Sequence, residues 1–240
     1  MEAGRQRLLT SGPLRVVSAA QGRAYSMMTL HGYFRSSASF RVRIALNLKK
    51  LPYEIQPVHL RKGEQRRPEF LAVQPQGLVP ALEDDEQIFI QSLAIIEYLD
   101  ETHPEPPLLP GHPADRARVR AIANIVACDI HPLNNLRILR YLKHEFRQDD
   151  AGLSAWYNRW IVEGFDALER IMADDGQTGE FCHGDEPGLA DICLVPQVFN
   201  AQRYKLDMTP YPTIRRVFEN CMKIDAFDRA QPSKQPDYEA

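Results

Sequence analysis

What this chain lacks excludes several classes of protein. Its cysteines, Cys128, Cys182, Cys193 and Cys221, form no Cys-x-x-Cys pair, and no histidine stands at zinc-finger spacing from them. No disulfide framework and no metal site is therefore expected, and the thiols read as reduced and mostly buried in a cytoplasmic, reducing compartment. No stretch reaches the roughly 18–20 apolar residues that a membrane helix needs. Charge of one sign is missing too: a net charge of −3 gives no reason to expect nucleic acid or an acidic membrane surface as partner. No internal repeat is visible. What remains is ordinary globular material, 44% hydrophobic and 25% charged, enough for a proper core. At 240 residues the expectation is one large or two modest domains.

Residues 1–26 are poor in acid, with Arg5, Arg7, Arg15 and Arg23 facing only Glu2. That composition fits a transit peptide, a disordered extension or an upstream start before a folded chain beginning near Met27 or Met28.

From there the pattern alternates. Thr29 to Phe34 reads as a strand. Ser36-Ser37-Ala38-Ser39 offers N-cap side chains, and Phe40, Ile44, Ala45 and Leu48 follow at helical spacing. Tyr53 to Leu60 reads as a second strand, with Pro57 placing it at an edge or bulge. This is a βαβ unit with parallel strands. Val79–Leu82 and Gln87–Ile90 flank the turn Asp84-Asp85-Glu86 as an antiparallel hairpin, and Ser92 caps a helix carrying Leu93, Ile96 and Leu99. The order βαβ then ββα is thioredoxin-like, so residues 27–104 are expected to form a small α/β domain.

Five prolines crowd Pro104 to Pro113, which marks residues 105–113 as a linker. Beyond it, Ala114 to about Ile130, Leu153–Ala173, Leu189–Arg203 and Pro212–Asn220 show helical spacing. Pro132 and Pro196 are expected to kink or interrupt two of these helices. Residues 114–230 thus read as all-α, followed by a polar tail at 231–240.

This organisation resembles the cytosolic glutathione transferases. The resemblance is specific at Arg35-Ser36-Ser37-Ala38-Ser39-Phe40-Arg41-Val42-Arg43-Ile44-Ala45, which is similar to the zeta-class signature written SSCSxRVRIAL. Leu78-Val79-Pro80, Gln91-Ser92-Leu93-Ala94-Ile95-Ile96-Glu97-Tyr98-Leu99, Leu194-Val195-Pro196-Gln197 and Thr209-Pro210-Tyr211-Pro212 also match. It implies a glutathione S-transferase fold, a homodimer, and glutathione as cofactor. Ser36, with Ser37, would be the catalytic hydroxyl pair, and Ser37, Ala38, Ser39, Phe40 and Arg41 would wrap the tripeptide. Val79, ahead of a cis proline, would pair with its backbone, and Gln91 with Ser92 would hold its γ-glutamyl end. Gln65, His131 and Asn135 fall where zeta relatives contact glutathione or the partner subunit. A small diacid substrate needs cations, and Arg35, Arg41 and Arg203 are the candidates, a guanidinium forking well onto a carboxylate.

Plain readings stand beside these. Ser36 and Ser92 are also ordinary helix caps, a lone helical His131 is often structural, and Arg35, Arg41 and Arg43 also suit surface or structural roles. Two departures from the family pattern matter. Ala38 replaces the usual Cys, which removes any disulfide-exchange role and leaves chemistry to glutathione's own sulfur. Gly188 replaces the Ser or Thr that usually caps the helix before Asp191, for which a structural place is expected. The implied activity is that of a maleylacetoacetate isomerase in tyrosine and phenylalanine breakdown. Maleylpyruvate isomerisation, glutathione transfer to small α-halo acids, and a non-catalytic module of this fold are the alternatives.

Overall fold

The computed structural model describes residues 15–17 and 24–239. Most of the 1–26 extension lies outside the described residues; two short strands within it, β1 (Arg15–Val17) and β2 (Ala24–Ser26), pair antiparallel.

The sheet that positions the site starts with β3 (Met28–Gly32). Helix α1 (Ser37–Leu48) returns the chain to β4 (Tyr53–Pro57), which runs parallel to β3. Two single turns of 3-10 helix, Leu60–Lys62 and Glu64–Arg66, lead to α2 (Pro68–Val73). The hairpin β5 (Ala81–Asp84) and β6 (Gln87–Ile90) then adds antiparallel strands, giving the order β4-β3-β5-β6, and α3 (Ser92–Thr102) closes the unit. Pro57 sits on an edge strand, where its missing N–H costs no ladder bond. The second strand stops at Pro57 rather than Leu60, because after the bond from Val58 N–H to the Gly32 carbonyl the His59 side chain caps the first 3-10 turn.

The linker is stitched rather than loose. The buried Lys49 ammonium at the end of α1 donates at 2.6 Å to Asp100 Oδ1 and to the carbonyls of His103 and Pro106. Asp100 Oδ1 also accepts from the Leu108 N–H.

The remainder is helical: α4 (Pro113–Asn124), α5 (Leu136–His144), α6 (Asp150–Asp174), α7 (Leu189–Arg203), α8 (Pro212–Met222) and α9 (Asp225–Arg229). The helix expected to reach Ile130 does so, its last turn (Ile125–Ile130) widening to a π-helix and ending just before Pro132. Pro196 does not interrupt α7. Ile192 through Val198 are all buried there, and that packing outweighs the roughly 3 kcal/mol of a mid-helix proline. Helix α5 was not anticipated. Its Leu136, Leu139 and Leu142 alternate with Arg137, Arg140 and Lys143, and none of its residues is fully buried.

Helix α1 lies centrally, packed on α3, α7 and α9, with every residue from Ser37 to Leu46 buried. One continuous core runs from Leu30 and Ile44 through Ile122 to Phe165 and Val195. No helix among the described residues is long and apolar enough to cross a membrane.

Candidate active site

Where α1 begins, two cavities of about 390 and about 430 Å³ adjoin. They share Leu78, Val79, His131, Asn135 and Arg137 as walls, so they form one cleft with two chambers. Among the described residues no Asp or Glu lines either chamber. The first chamber carries Arg35, Arg61, Arg66, Arg137, Arg140 and Arg203. Such a cleft attracts an anion before any contact is made.

Ser36 is the N-cap of α1, with extended backbone, and its Oγ accepts from the Ser39 N–H at 3.2 Å. Since that bond uses an oxygen lone pair, the hydroxyl proton is left to donate into the first chamber. Capping and function are thus compatible uses of one side chain. The next N–H groups, of Ser37 and Ala38, have no acceptor among the described residues, as expected of a helix start. Ser37 Oγ is met by Asn200 Nδ2 at 2.7 Å from α7.

The expected cis bond at Val79–Pro80 is present. Among the described residues Val79 makes no backbone hydrogen bond, so its N–H and C=O are left without a partner where it lines the cleft. Gln91 precedes α3 at φ 70°, an unusual backbone for a residue other than glycine, and such outliers collect where a ligand is held. Its side chain reaches Gln76 Oε1 at 2.8 Å. Ser92 is buried beside it and accepts from Arg41.

Gln65 lines the first chamber, buried, with its Oε1 unpartnered. Gly77 passes close behind it at φ 62°, where a Cβ would stand 2.8 Å from the Gln65 carbonyl oxygen, so only glycine fits. Asn135 lines both chambers while its Oδ1 caps α5 through the Arg137 N–H. His131 also touches both. Burial, reinforced by Arg41 and Arg137, pushes its imidazolium down to about 3, so the ring is neutral.

The arginines divide. Arg35 and Arg203 share the first chamber, and burial together with the charge of Arg203 lowers the proton affinity of Arg35. Arg203 lies over the rings of Tyr157 and Tyr204 at 5.9 and 5.0 Å and donates to the Tyr157 hydroxyl. Those two rings stack at 3.6 Å. Arg41, expected to join them, instead lines the second chamber, buried behind Ser92, four residues into α1 where the helix has carried it to the side of α3. Arg43 is buried and structural, donating to the carbonyls of Phe34 and Ala230.

Two residues expected to contact glutathione stand apart from the cleft. Ser39 and Phe40 line neither chamber: Ser39 is fully buried, and Phe40 packs edge-on against Phe199 at 5.3 Å. On α1 they fall on the core side, past Ser37 and Ala38, which line the chambers. Asp191 holds its structural place, accepting from the N–H groups of Cys182 and Gly188.

Several site residues were not anticipated. Asn200 stands three residues before Arg203 on the same face of α7, a spacing that could have flagged it. Arg137 and Arg140 have that spacing on α5. Tyr33, Arg61, Arg66, Asn134 and Tyr157 come from separate elements, and no local pattern joins them.

The profile of the glutathione S-transferase N-terminal domain matches residues 30–107, and that of the C-terminal domain residues 161–222. A maleylpyruvate isomerase from a Ralstonia species is 53% identical over 88% of this chain and 99% of its own length. The holo structure of a maleylpyruvate isomerase, a bacterial zeta-class glutathione S-transferase, superposes with a TM-score of 0.87 at 52% identity, covering 88% of this chain and all of that one. A maleylacetoacetate isomerase from Methylobacterium extorquens AM1, solved with malonate and glutathione bound, gives 0.86 at 40% identity over the same shares. With an α1 N-terminus, a cis Val79–Pro80 and a Gln91-Ser92 corner lining one arginine-rich cleft, the chain belongs to the zeta class of the glutathione S-transferase family.

Proposed function

We propose that this protein is a glutathione-dependent cis–trans isomerase of small maleyl diacids, converting maleylacetoacetate to fumarylacetoacetate as a cytoplasmic homodimer. Residues 27–104 form its glutathione-binding unit, 105–113 the linker and 114–230 the helical unit. The observation that carries this reading is the start of α1. Ser36 Oγ accepts from the Ser39 N–H, which leaves its proton free to donate into a cleft lined by arginines and, among the described residues, by no carboxylate.

The residues present fit glutathione. Buried groups without partners, Gln65 Oε1 and Arg41 Nε and Nη2, stand in the chambers it would fill, and buried polar groups are seldom left unmatched. Ser92, Gln91 and Gln65 would hold its γ-glutamyl end, and Val79 its backbone. When bound, glutathione supplies a thiol that reversibly turns the conjugated double bond into a rotatable single bond and leaves unchanged.

The chain's own task is to keep that sulfur anionic and the diacid fixed. Depressing a thiol by about two pK units takes about 2.7 kcal/mol. A helix N-terminus supplies about 0.3–1 kcal/mol, and a hydroxyl donating to an anion about 1.5–3 kcal/mol, so Ser36 with the free N–H groups of Ser37 and Ala38 suffices. Arg35 and Arg203 orient the substrate carboxylates above it. Neutral His131 adds no charge at the junction of the chambers. Ala38 brings no competing thiol.

A second reading, isomerisation of maleylpyruvate, is favoured by the 53% identity to an enzyme of that name and uses the same residues. The test supplies each diacid separately, with and without glutathione, to wild type and Ser36→Ala. Turnover should require glutathione and fall by about 100-fold or more in the variant. Turnover that ignores glutathione, or that survives the substitution, defeats the reading.

A further inference from the structure

The last described residues do not trail away from the fold. Gln235 is buried, its Nε2 donating to the carbonyls of Arg229 and Gln231 at 2.9 and 2.8 Å, which anchors the chain end. From that anchor the chain reaches the peptide that leads into α1. Asp237 Oδ2 accepts from the Phe34 N–H at 2.9 Å, across 203 residues of sequence. The Phe34 carbonyl is held on its other side by Arg43 Nη2 at 3.0 Å, and the same guanidinium donates from Nε to the Ala230 carbonyl at 2.9 Å. Both backbone groups of Phe34 are therefore tied, directly or through one side chain, to residues 230–237. Tyr238 closes over the Phe34 ring, edge-on at 5.5 Å. Glu239 reaches His59 Nε2 at 2.9 Å and Lys62 Nζ at 3.2 Å, on the 3-10 turn that supplies Leu60 and Arg61 to the first chamber.

Phe34 directly precedes Arg35 and Ser36. The turn between them is short, the Ser36 N–H closing onto the Tyr33 carbonyl at 2.9 Å. Any shift of Phe34 is thus passed to the hydroxyl and guanidinium that the reaction uses. Misplacing a reacting group by about 1 Å can cost about 100-fold in rate.

We propose that the C-terminal segment Gln235–Glu239 is a strap that sets the pose of Arg35 and Ser36, with Asp237 as its positioning residue. Asp237 touches neither glutathione nor substrate; it acts through the Phe34 peptide. The inference rests on the reading of Ser36 as the hydroxyl that faces the glutathione sulfur. A segment that only stitched the chain end to the fold would contribute stability alone. A strap contributes to the ionisation of the bound thiol and to kcat.

The experiment compares full-length wild type, Asp237→Ala and Asp237→Asn. Three quantities are read: the ionisation midpoint of bound glutathione from its thiolate ultraviolet absorbance, glutathione affinity by calorimetry, and kcat with KM for maleylpyruvate. Asp237→Ala should raise the thiol midpoint by about one unit and lower kcat about tenfold. Glutathione affinity should change by less than about threefold, because Gln65, Val79 and Ser92 are untouched. Asp237→Asn, which keeps an acceptor oxygen for the Phe34 N–H, should restore most of both. Should Asp237→Ala not fold, Tyr238→Ala, which removes a half-exposed ring, should show the same changes at about threefold. Wild-type thiol ionisation and kcat in Asp237→Ala, or in Tyr238→Ala where that variant stands in, overturn the strap even if the melting temperature falls. Wild type that binds glutathione but leaves its thiol unionised overturns the reading of Ser36 itself.

Discussion

The Arg41 guanidinium donates from Nη1 to the Ser92 hydroxyl oxygen across 3.3 Å. A guanidinium accepts nothing, so the Ser92 proton is left to point into the second chamber, toward an incoming carboxylate. Arg41 itself is buried, with Nε and Nη2 unpartnered, and burial lowers its proton affinity. A buried charge so poorly compensated is a cost to the fold that binding can offset. The substitution Arg41→Met should therefore split two properties that usually move together. Stability should stay level or rise by about 1 kcal/mol, while glutathione affinity falls about tenfold, or about 1.4 kcal/mol. Urea unfolding and titration calorimetry check the pair; a variant that loses both shows Arg41 to be structural.

Helix-cap preferences alone would make Gly188→Ser an improvement. The structure reverses the sign. The Leu189 N–H reaches the Leu108 carbonyl at 2.9 Å, and a Cβ on residue 188 would stand 2.8 Å from that same oxygen. The conflict is with backbone in the linker, which cannot rotate away as a side chain tip would. Asp191 already serves as the cap from inside the helix. Gly188→Ser should destabilise by about 1–3 kcal/mol in denaturant titration, with kcat per folded molecule unchanged.

That example shows what the residue pattern could and could not convey. Strand and helix order and the Ser36 cap are local events, each written in a few neighbouring residues. The cis Val79–Pro80 is expected from the family resemblance, since the dipeptide alone favours trans. The exclusion of Ser39 and Phe40 from the cleft depends on how α1 is rolled against α7, where Phe199 meets Phe40. The displacement of Arg41 from Arg35 has the same origin. Asn200, which meets Ser37, and Asp237, which meets Phe34, lie 163 and 203 residues from their partners. Only the folded chain brings those contacts together. Gly188 reads as a weak cap because the Leu108 carbonyl oxygen, for which it makes room, is far away in sequence.

His131 gives a prediction whose sign follows from linkage. Burial, then Arg41 and Arg137, holds its folded-state pKa at about 3 against an ordinary 6.5. Between those values the unfolded chain binds a proton that the folded chain refuses, so stability falls as pH drops below about 6.5 and the loss levels off near 3. The slope from this one group is at most about 1.4 kcal/mol per pH unit. His131→Gln should flatten the pH dependence of the urea midpoint across that window while leaving stability near pH 7 close to wild type, apart from any packing change. An unchanged dependence would place the proton elsewhere.

Arg35 and Arg203 face one chamber with no carboxylate among the described residues that line it, and their mutual repulsion adds to the burial that lowers the proton affinity of Arg35. A dianion entering there relieves that repulsion as well as forming new bonds, so it should stabilise the protein more than its affinity for one arginine would suggest. Malonate serves as the probe because it carries two carboxylates and no reactive double bond. It should raise the melting temperature of wild type, and the rise should shrink sharply in Arg203→Met and in Arg35→Met. The two variants should then part in kinetics. Arg203 is held over Tyr157 and Tyr204 and is not part of the chain that leads into α1, so its loss should raise KM for the diacid about tenfold or more with kcat less affected. Arg35 adjoins Ser36 in sequence and in the chamber, so its loss should lower kcat as well. Equal effects of the two on KM and kcat would mean that the pair acts as one undivided patch of charge.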